Sequence, residues 1–355
     1  MTSYLLYPIL PAAASVPDQF IEISPFPHTP LCFFIDCCKF TFWCCMSWKL
    51  SVFFFSFFLY LLAFPQHALH AARSGLLLWY HSVVPVLFPF MILCNFALNT
   101  RVLSPLLSLF YRPLHALFGC SKAGSFAIFS GFVCGFPIGA KTSADLCRSG
   151  QITPQEARFL LGFCNNLSPA FLLSYLASDQ LRQPSLGPVF LGIVLGSSVL
   201  FGIISSVFFR RQPHSAKEKA AERCLEFSMD LLDTCIMDAV RSTVRLGAYL
   251  LLFSMIDSCA SMLIPSSSPL FLLLRSSIEV SNGLHVLCSS PLPWNLKFIF
   301  LNAAAAFGGL SALAQTISIA RMDRSLAFYY IKSRVIITLL SILLSVLVLW
   351  SPLLV

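Results

Sequence analysis

Two uncharged apolar runs constrain this chain more than any other feature of its sequence. Residues 186–209 read LGPVFLGIVLGSSVLFGIISSVFF, and residues 335–350 read VIITLLSILLSVLVLW. A helix needs about 20 mostly apolar residues to cross the hydrocarbon core of a bilayer. Both runs therefore predict membrane-spanning helices, and further candidates lie at 51–64, 82–98 and 246–264.

The amino-acid composition indicates the same class of protein. Charged residues make up 11% of the 355 residues and hydrophobic residues 57%, whereas a soluble domain carries roughly 25% charged residues. A chain with so few charges cannot cover a soluble globule of this size with polar surface. We therefore predict an all-α, polytopic membrane protein that has the lipid bilayer as its main partner.

The positions of the basic residues predict which loops face the cytoplasm. The net charge is +8 at pH 7, and the basic residues gather beside the two uncharged runs. These groups are Arg210, Arg211, Lys217, Lys219 and Arg223, and then Arg321, Arg324, Lys332 and Arg334. The positive-inside rule places such groups on the cytoplasmic side. No basic stretch is interleaved with aromatic residues, so nucleic acid is not an expected partner.

The sequence divides into four parts. Residues 1–45 contain six prolines and five cysteines without a helical period, and we interpret them as an extension that a start codon assigned too far upstream would explain. Residues 46–209 are predicted to form a first membrane half. Residues 210–244 are predicted to form a cytoplasmic loop with an interfacial helix, and 245–355 a second membrane half.

We expect a chain that begins at Met46 to insert into membranes and to function like the full-length chain. Met46-Ser47-Trp48-Lys49 leads directly into the Phe-rich run at 51–64, as the N-terminus of a membrane protein commonly does. Membrane yield and activity of the two forms are the measurements. Loss of either on removal of residues 1–45 would show that the extension contributes to the fold.

The apolar pattern breaks at 125–149, which reads SFAIFSGFVCGFPIGAKTSADLCRS. A straight helix cannot continue through Gly135 and Pro137, because proline lacks a backbone donor and glycine carries an entropic penalty. Irregular backbone occurs at membrane depth only where it is buried in protein or lines an aqueous cavity. The segment therefore predicts a re-entrant helical hairpin, whose second arm presents free N–H groups and Lys141 to an anion.

A related segment at 298–322 reads FIFLNAAAAFGGLSALAQTISIARM and predicts a second hairpin. It aligns with the first at a shift of 174 residues, which places Gly309 on Gly135 and Gln315 on Lys141. Glycine-interrupted apolar segments in corresponding halves of a transporter indicate its binding site. We therefore predict an internal repeat in which the two tips converge on one polar pocket.

Two other polar clusters interrupt apolar segments. Asn165 and Asn166 interrupt one predicted helix, and Glu279 and Asn282 interrupt another. An ionisable residue at bilayer depth is costly, so Glu279 is predicted to have a functional role. The alternative is a structural ion pair with Arg275, one helical turn earlier. The Asn pair could equally serve as interhelical hydrogen-bonding groups.

The predicted solute site combines both tips with these clusters. Its residues are Gly135, Pro137, Gly139, Lys141, Thr142, Asn165, Asn166, Glu279, Asn282, Gly309, Ser311, Gln315 and Thr316. The fourteen cysteines lack the spacing of a zinc site. Paired catalytic carboxylates and nucleophile–base sets are also missing from the sequence, so we expect neither a metal, nor a cofactor, nor an enzyme.

Several of these motifs together resemble one family of membrane proteins. GFPIGAKTSADLCRSGQIT, FCNNLSPAF, IEVSNG and FGGLSALAQ occur in this order within residues 79–349, and they are similar to YlbJ-type sporulation integral membrane proteins. These carry the nucleoside recognition, or Gate, domain. The resemblance implies a fold distantly similar to nucleoside transporters, a place in the outer forespore membrane, and passage of dipicolinate during spore maturation.

We therefore predict a permease for a small anionic solute, with dipicolinate as the implied substrate. The alternatives are a nucleoside or nucleobase transporter and a non-transporting scaffold for spore-envelope assembly. A coupling ion and an oligomeric state are left open. So is the topology: four crossings between the hairpins would give parallel repeats, whereas nucleoside-transporter-like folds have inverted ones. A partial span between the hairpins, or entry of residues 102–118 into the membrane, would change this topology.

Overall fold

The computed structural model describes residues 48, 51–100, 104–210, 228–263 and 269–351. Helices dominate these residues, and none of them lies in a β-strand. The extension at 1–45 and the loop at 211–227 lie outside the described residues. The predictions made for those two segments therefore stay predictions.

The described residues form a succession of helices joined by short turns. The α-helices are α1 Ser51–Ala63, α2 Pro65–Leu78, α3 Val84–Asn99, α4 Ser104–Phe118, α5 Lys122–Cys134, α6 Ile138–Arg148, α7 Pro154–Phe163, α8 Gly187–Arg210, α9 Met229–Leu263, α10 Pro269–Ser276, α11 Val280–Ser289, α12 Trp294–Phe307, α13 Gly309–Ala320 and α14 Arg324–Trp350. Two π-helical segments, Trp79–Val83 and Phe171–Gln180, and a 3₁₀ turn, Pro184–Leu186, lie between them.

The chain divides into two units. The first is Met1–Ser56, of which the structure describes Trp48 and the first residues of α1. The second is Phe57–Val355 and contains the helices from α2 onward.

Several helices are long and apolar enough to cross a bilayer. Four pass this test alone: Pro184–Arg210, Met229–Met262, Trp294–Ala320 and Arg324–Trp350. Two sharply bent pairs pass it together: Ser51–Ala63 with Pro65–His81, and Phe110–Phe118 with Lys122–Cys134. The described residues therefore contain four to six candidate spans, which confirms an all-helical integral membrane protein.

The surface of α14 has the polarity expected of a helix that faces lipid. Leu339, Leu343 and Leu347 lie four residues apart and are 61%, 54% and 55% exposed. The small polar residues Ser341 and Ser345 on the same helix are fully buried. Helices in membranes pack through small residues and turn their large apolar side chains toward lipid. The exposed leucines therefore fit a lipid-facing stripe.

Aromatic side chains pack α7 between α4 and α8. The rings of Phe159 and Phe209 stack at 4.6 Å, and those of Phe118 and Phe163 lie 4.8 Å apart. Such ring pairs contribute about 0.5–1.5 kcal/mol beyond the area that they bury. This packing fixes the helix that leads into the Asn165-Asn166 segment.

The first predicted hairpin is formed by α5 and α6, which fold back on each other. Gly135 has φ +80° at the turn, in the left-handed region that favours glycine, and Pro137 follows it. Gly131 and Gly139 face each other beyond the turn, and a Cβ on either would overlap the carbonyl oxygen of Cys164. Glycine at both positions therefore lets the two arms cross the end of α7 in backbone contact.

A second helical hairpin is formed by α10 and α11, in a segment predicted as a single interrupted span. A Cβ at Gly283 of α11 would overlap the backbone of Ser276 at the end of α10, so the two arms are in close contact. The tip of this hairpin is the segment 277–279. Neither glycine nor proline marks this tip, which explains why the sequence did not reveal the reversal.

The structure differs from the prediction of a hairpin at 298–322. This segment contains α12 and α13, which follow one another across a break at Gly308 and count together as one 27-residue candidate span. Gly308 and Gly309 have φ +83° and +81°. Consecutive glycines allow either a reversal of the chain or a local break in a helix. The alignment at a shift of 174 residues therefore paired a hairpin, at 125–149, with a broken span, at 298–322.

A single helix, α9, runs from Met229 to Leu263 without interruption. It crosses the predicted boundary at 244/245 between the interfacial helix and the second membrane half. At about 1.5 Å per residue, its 35 residues extend for roughly 52 Å. This helix is therefore long enough to contact elements at both faces of a bilayer.

Candidate functional site

Four irregular segments of the backbone meet in the interior of the second unit. They are the tip of the α5–α6 hairpin, the segment between α7 and the second π-helix, the tip of the α10–α11 hairpin, and the break between α12 and α13. Phe136 N in the first tip donates to the carbonyl oxygen of Asn166 at 2.7 Å. The first tip is therefore bonded to the break that follows α7.

The second tip makes the corresponding bonds to the break between α12 and α13. Leu310 N donates to Ser277 O at 2.7 Å, and Ser311 N donates to Ile278 O at 3.0 Å. A Cβ on Gly309 would lie 3.1 Å from Val280 N, so this break too is in backbone contact with the hairpin. Each hairpin tip thus satisfies backbone groups that the neighbouring broken helix leaves free.

Side-chain contacts connect the first hairpin tip and the break after α7 to the broken helix α12–α13 and to α14. Asn165 Nδ2 donates to Thr316 Oγ1 at 3.0 Å and to the Tyr330 hydroxyl at 2.7 Å. The Phe136 ring packs against Gly308, where an added Cβ would lie 3.0 Å from Cε1. Unpaired backbone groups in hydrocarbon cost several kcal/mol each. The convergence therefore explains how four breaks are tolerated inside a membrane protein.

A cavity of about 280 Å³ lies at this convergence. Its polar lining residues are His81, Ser168, Ser174, Tyr175, Asp179, Glu279, Ser281, Ser311 and Gln315. Phe136 and Phe171 supply aromatic surface, and the rings of Phe171 and Tyr175 lie 4.7 Å apart. An apolar cavity with a few convergent polar groups is typical of small-molecule sites.

The charge of the cavity is not that of an anion site. Among the described residues that line it, Asp179 and Glu279 carry carboxylates, and none is lysine or arginine. His81 is the single lining residue among them that can become cationic. The lining therefore favours hydrogen-bond donors in a bound solute over free negative charge.

Glu279 is the N-cap of α11 as well as a cavity residue. Its Oε1 accepts from Ser281 N at 3.1 Å and its Oε2 from Asn282 N at 2.8 Å. The side chain is 1% exposed. The alternative ion pair with Arg275 is not formed, because Arg275 Nε lies 3.2 Å from Asp257 Oδ1 on α9. The carboxylate therefore faces the cavity with backbone N–H groups as its recorded partners.

Lys141 lies outside the cavity lining. Its Nζ donates to Asn95 Oδ1 at 2.7 Å and to Asp145 Oδ2 at 2.9 Å, and it reaches Asp238 Oδ2 at 3.4 Å. These contacts connect α6 to α3 and α9. The role of Lys141 in binding an anion stays a prediction, and the described contacts indicate a structural role.

Replacing Lys141 with methionine is expected to lower thermal stability without changing the solute affinity of the folded protein. A hydrogen bond to a charged group contributes about 1.5–3 kcal/mol to stability. The Lys141–Asp238 pair should contribute least, because the Asp238 side chain is half-exposed and solvent screens the pair. Arg148→Met is the matched control, since it removes an exposed partner of the same Asp145. Weaker solute binding in Lys141→Met alone would restore Lys141 to the site.

The other predicted site residues divide into two groups. Glu279, Ser311 and Gln315 line the cavity. The rest lie in the hairpins and broken helices around it without lining it: Gly135, Pro137, Gly139, Thr142, Asn165, Asn166, Asn282, Gly309 and Thr316. Ser168 and Ser281 were missed although they stand two residues beyond Asn166 and Glu279. Tyr175 and Asp179 gave no sequence signal.

The burial of Arg334 corrects its placement in a cytoplasmic basic group. It is 1% exposed and lies within α14, which begins ten residues earlier at Arg324. The basic residues from Arg324 onward are thus helical, and Arg334 points into the protein while Lys332 stacks over Phe328 at 4.5 Å. Sequence proximity to a span did not reveal which face of the helix each residue occupies.

The fold and this cavity define an all-helical integral membrane protein with a polar interior site. Sequence comparison adds a relative: the chain is 25% identical over 308 residues to the sporulation integral membrane protein YlbJ of Bacillus subtilis (strain 168), with 74% of each chain covered. The resemblance to YlbJ-type sporulation integral membrane proteins is thereby confirmed. No family model matches the chain. No solved structure matches it either.

Proposed function

We propose that this protein is a permease that moves a small polar solute across a membrane during sporulation. The observation that carries the proposal is the convergence of two hairpin tips and two helix breaks on one cavity. A scaffold for spore-envelope assembly would not need irregular backbone and a buried carboxylate at one interior point. Transporters use such breaks to build solute sites near the bilayer midplane.

The order of the elements supports an inverted repeat with two re-entrant hairpins. A hairpin, a broken helix and a long apolar helix occur in this order twice: α5–α6 to α8, and α10–α11 to α14. The N-caps of the second arms, Pro137 and Glu279, correspond at a shift of 142 residues. The arms have 8 to 13 residues, too few to cross a bilayer. We infer that each hairpin enters the membrane and turns back.

Helix α9 supports entry from opposite sides. Asp238 of α9 contacts Lys141 of the first hairpin, and Asp257 of α9 pairs with Arg275 of the second. The two aspartates are 19 residues apart, which is about 28 Å along a helix and close to the thickness of the hydrocarbon core. The hairpins are thus held near opposite ends of one helix, as two gates of one pathway would be.

The solute class has two candidates. Dipicolinate in the outer forespore membrane is what the family resemblance implies, and its planar ring suits Phe136, Phe171 and Tyr175. A nucleoside or nucleobase is the second candidate. It is favoured by the cavity charge, since Asp179 and Glu279 can accept hydrogen bonds from a neutral solute.

Replacement of YlbJ in Bacillus subtilis tests the proposed function in cells. Cells that lack YlbJ and make this chain are expected to form spores with more dipicolinate than cells that make neither protein. The Glu279→Gln variant should not raise the dipicolinate content at equal protein level. Equal dipicolinate content with the wild-type chain and with Glu279→Gln would count against a permease that uses this cavity.

A further inference from the structure

Arg334 carries a guanidinium that is buried inside the helical bundle. It lies on α14 and is 1% exposed. Its Nη1 donates to Asn166 Oδ1 at 3.2 Å and approaches the carbonyl oxygen of Ala306 at 3.5 Å. Its Cζ lies 5.5 Å from the centre of the Tyr330 ring. These contacts involve one of the three guanidinium nitrogens.

The other two nitrogens of Arg334 have no hydrogen-bond partner. Nε and Nη2 are both buried and unsatisfied. Among the described residues, no carboxylate oxygen lies within 4.0 Å of this side chain. A buried charge without a partner is strongly unfavourable, and the C-terminal carbonyl of α12 and the Tyr330 ring compensate it only in part.

The unsatisfied nitrogens form one edge of the guanidinium. Nε–H and Nη2–H point in parallel, and this edge binds the two oxygens of a carboxylate or phosphate in a bidentate pair. A lysine at this position could not provide the same fork. The chemistry of the free edge therefore identifies a planar or tetrahedral oxyanion as its complement.

Arg334 is linked to the solute cavity through Asn166. Asn166 Oδ1 accepts from Arg334 and from Ser198 Oγ at 2.6 Å, and its Nδ2 donates to Phe163 O at 2.8 Å. The backbone carbonyl of the same residue holds Phe136 of the first hairpin tip. The two residues that follow, Leu167 and Ser168, line the cavity. Asn166 thus contacts Arg334 and directly precedes the lining residues in the chain.

We propose that Arg334 binds a carboxylate group of the transported solute, through Nε and Nη2, in a subsite behind the first hairpin tip. This inference rests on the proposed permease function and assigns a residue to the carboxylate of its solute. The cavity holds the apolar part of the solute, and Arg334 supplies the positive charge that the cavity lining lacks.

Binding measurements on the purified full-length protein test this subsite. The probes are acetate, benzoate and dipicolinate as carboxylates and uridine as a neutral solute, titrated by thermal shift and by calorimetry. We expect Arg334→Gln to bind dipicolinate at least tenfold more weakly than the wild type. Arg334→Lys should fall between them, because an ammonium group lacks the fork. Arg158→Gln is the control, since Arg158 is exposed and stacks over Tyr329 at 4.6 Å.

The outcomes separate this inference from the proposed function. Binding of no carboxylate probe by the wild type, or equal dipicolinate affinity in Arg334→Gln and the wild type, would overturn the subsite. Where Arg334→Gln does not fold, equal dipicolinate affinity in Arg334→Lys and the wild type would overturn it too. Arg334-dependent binding by a protein that moves no solute into liposomes would uphold the subsite and remove the permease function.

Discussion

Replacement of Glu279 with alanine is expected to abolish solute transport and to destabilise the second hairpin. The carboxylate accepts from two backbone N–H groups at the start of α11, and the bond from Ser281 N is buried while that from Asn282 N is partly buried. Each of them loses its partner in the variant, at a cost of about 1–3 kcal/mol per group. The cavity also loses one of its two carboxylates. The measurements are the melting temperature in detergent and solute uptake per folded molecule.

The Glu279→Gln variant distinguishes the helix-capping role of this side chain from the role of its negative charge in the cavity. The amide oxygen still accepts one hydrogen bond, so part of the lost stability should return, while transport should stay at least tenfold below the wild type. Glu156→Gln is the matched control: Glu156 is also buried and accepts from Ser121 N at 2.6 Å, but it does not line the cavity. If Glu279→Gln transported solute as well as Glu156→Gln, the Glu279 carboxylate would cap α11 and would have no role in transport.

Replacement of Gly131 with alanine is expected to cause a large loss of folded protein. A Cβ there would overlap the carbonyl oxygen of Cys164, which belongs to the backbone and cannot rotate away. Inserting a methyl group into a packed core costs about 1–3 kcal/mol and occasionally more, and a backbone overlap lies at the upper end. The hairpin arm would have to move away from the end of α7, which would also open the bond between Phe136 and Asn166.

Gly192→Ala is the control for this substitution. Gly192 lies within α8, and an added Cβ meets no atom within 4 Å. Alanine is the better helix former by about 1 kcal/mol, so this variant should be as stable as the wild type or more stable. Size-exclusion profiles and melting temperatures of both variants give the comparison. Equal stability of Gly131→Ala and Gly192→Ala would refute the close crossing of the hairpin arms and α7.

The predictions that succeeded depended on local sequence. Uncharged runs of sufficient length identified α8 and α14, because bilayer thickness fixes the length of a span. The Gly-Phe-Pro sequence at 135–137 located the turn between α5 and α6, because proline and glycine act on their own backbone. Glu279 was predicted to have a functional role because a carboxylate at membrane depth is costly. The structure places it in the cavity lining, and its functional role stays a prediction.

The features that could not be predicted depend on contacts between residues distant in sequence or on the choice between two backbone conformations. The partners of Lys141 on α3 and α9 are 46 and 97 residues away, and nothing in its neighbourhood indicates them. The second hairpin turns at Ser-Ile-Glu, where the carboxylate of Glu279 replaces the glycine and proline of the first tip. Gly308 and Gly309 were assigned to a reversal because paired glycines permit both a reversal and a break.

The position of Arg334 also could not be predicted from its local sequence. Its charge predicted a cytoplasmic loop, since basic residues near spans usually lie there. Its burial depends on the register of α14 against Asn166 and Ala306, which lie 168 and 28 residues away. A positive charge at membrane depth can be recognised from sequence only when the start of its helix is known.

Uptake into liposomes tests the central claim, that a solute passes through the cavity between the two hairpins. Purified full-length protein, Glu279→Gln and Glu156→Gln are reconstituted at equal density, and entry of radiolabelled dipicolinate and uridine is followed against protein-free liposomes. The proposed permease predicts saturable uptake of one of them by the wild type and Glu156→Gln, and at least tenfold less by Glu279→Gln. Folded wild-type protein that takes up neither solute, or Glu279→Gln that equals the wild type, would contradict it.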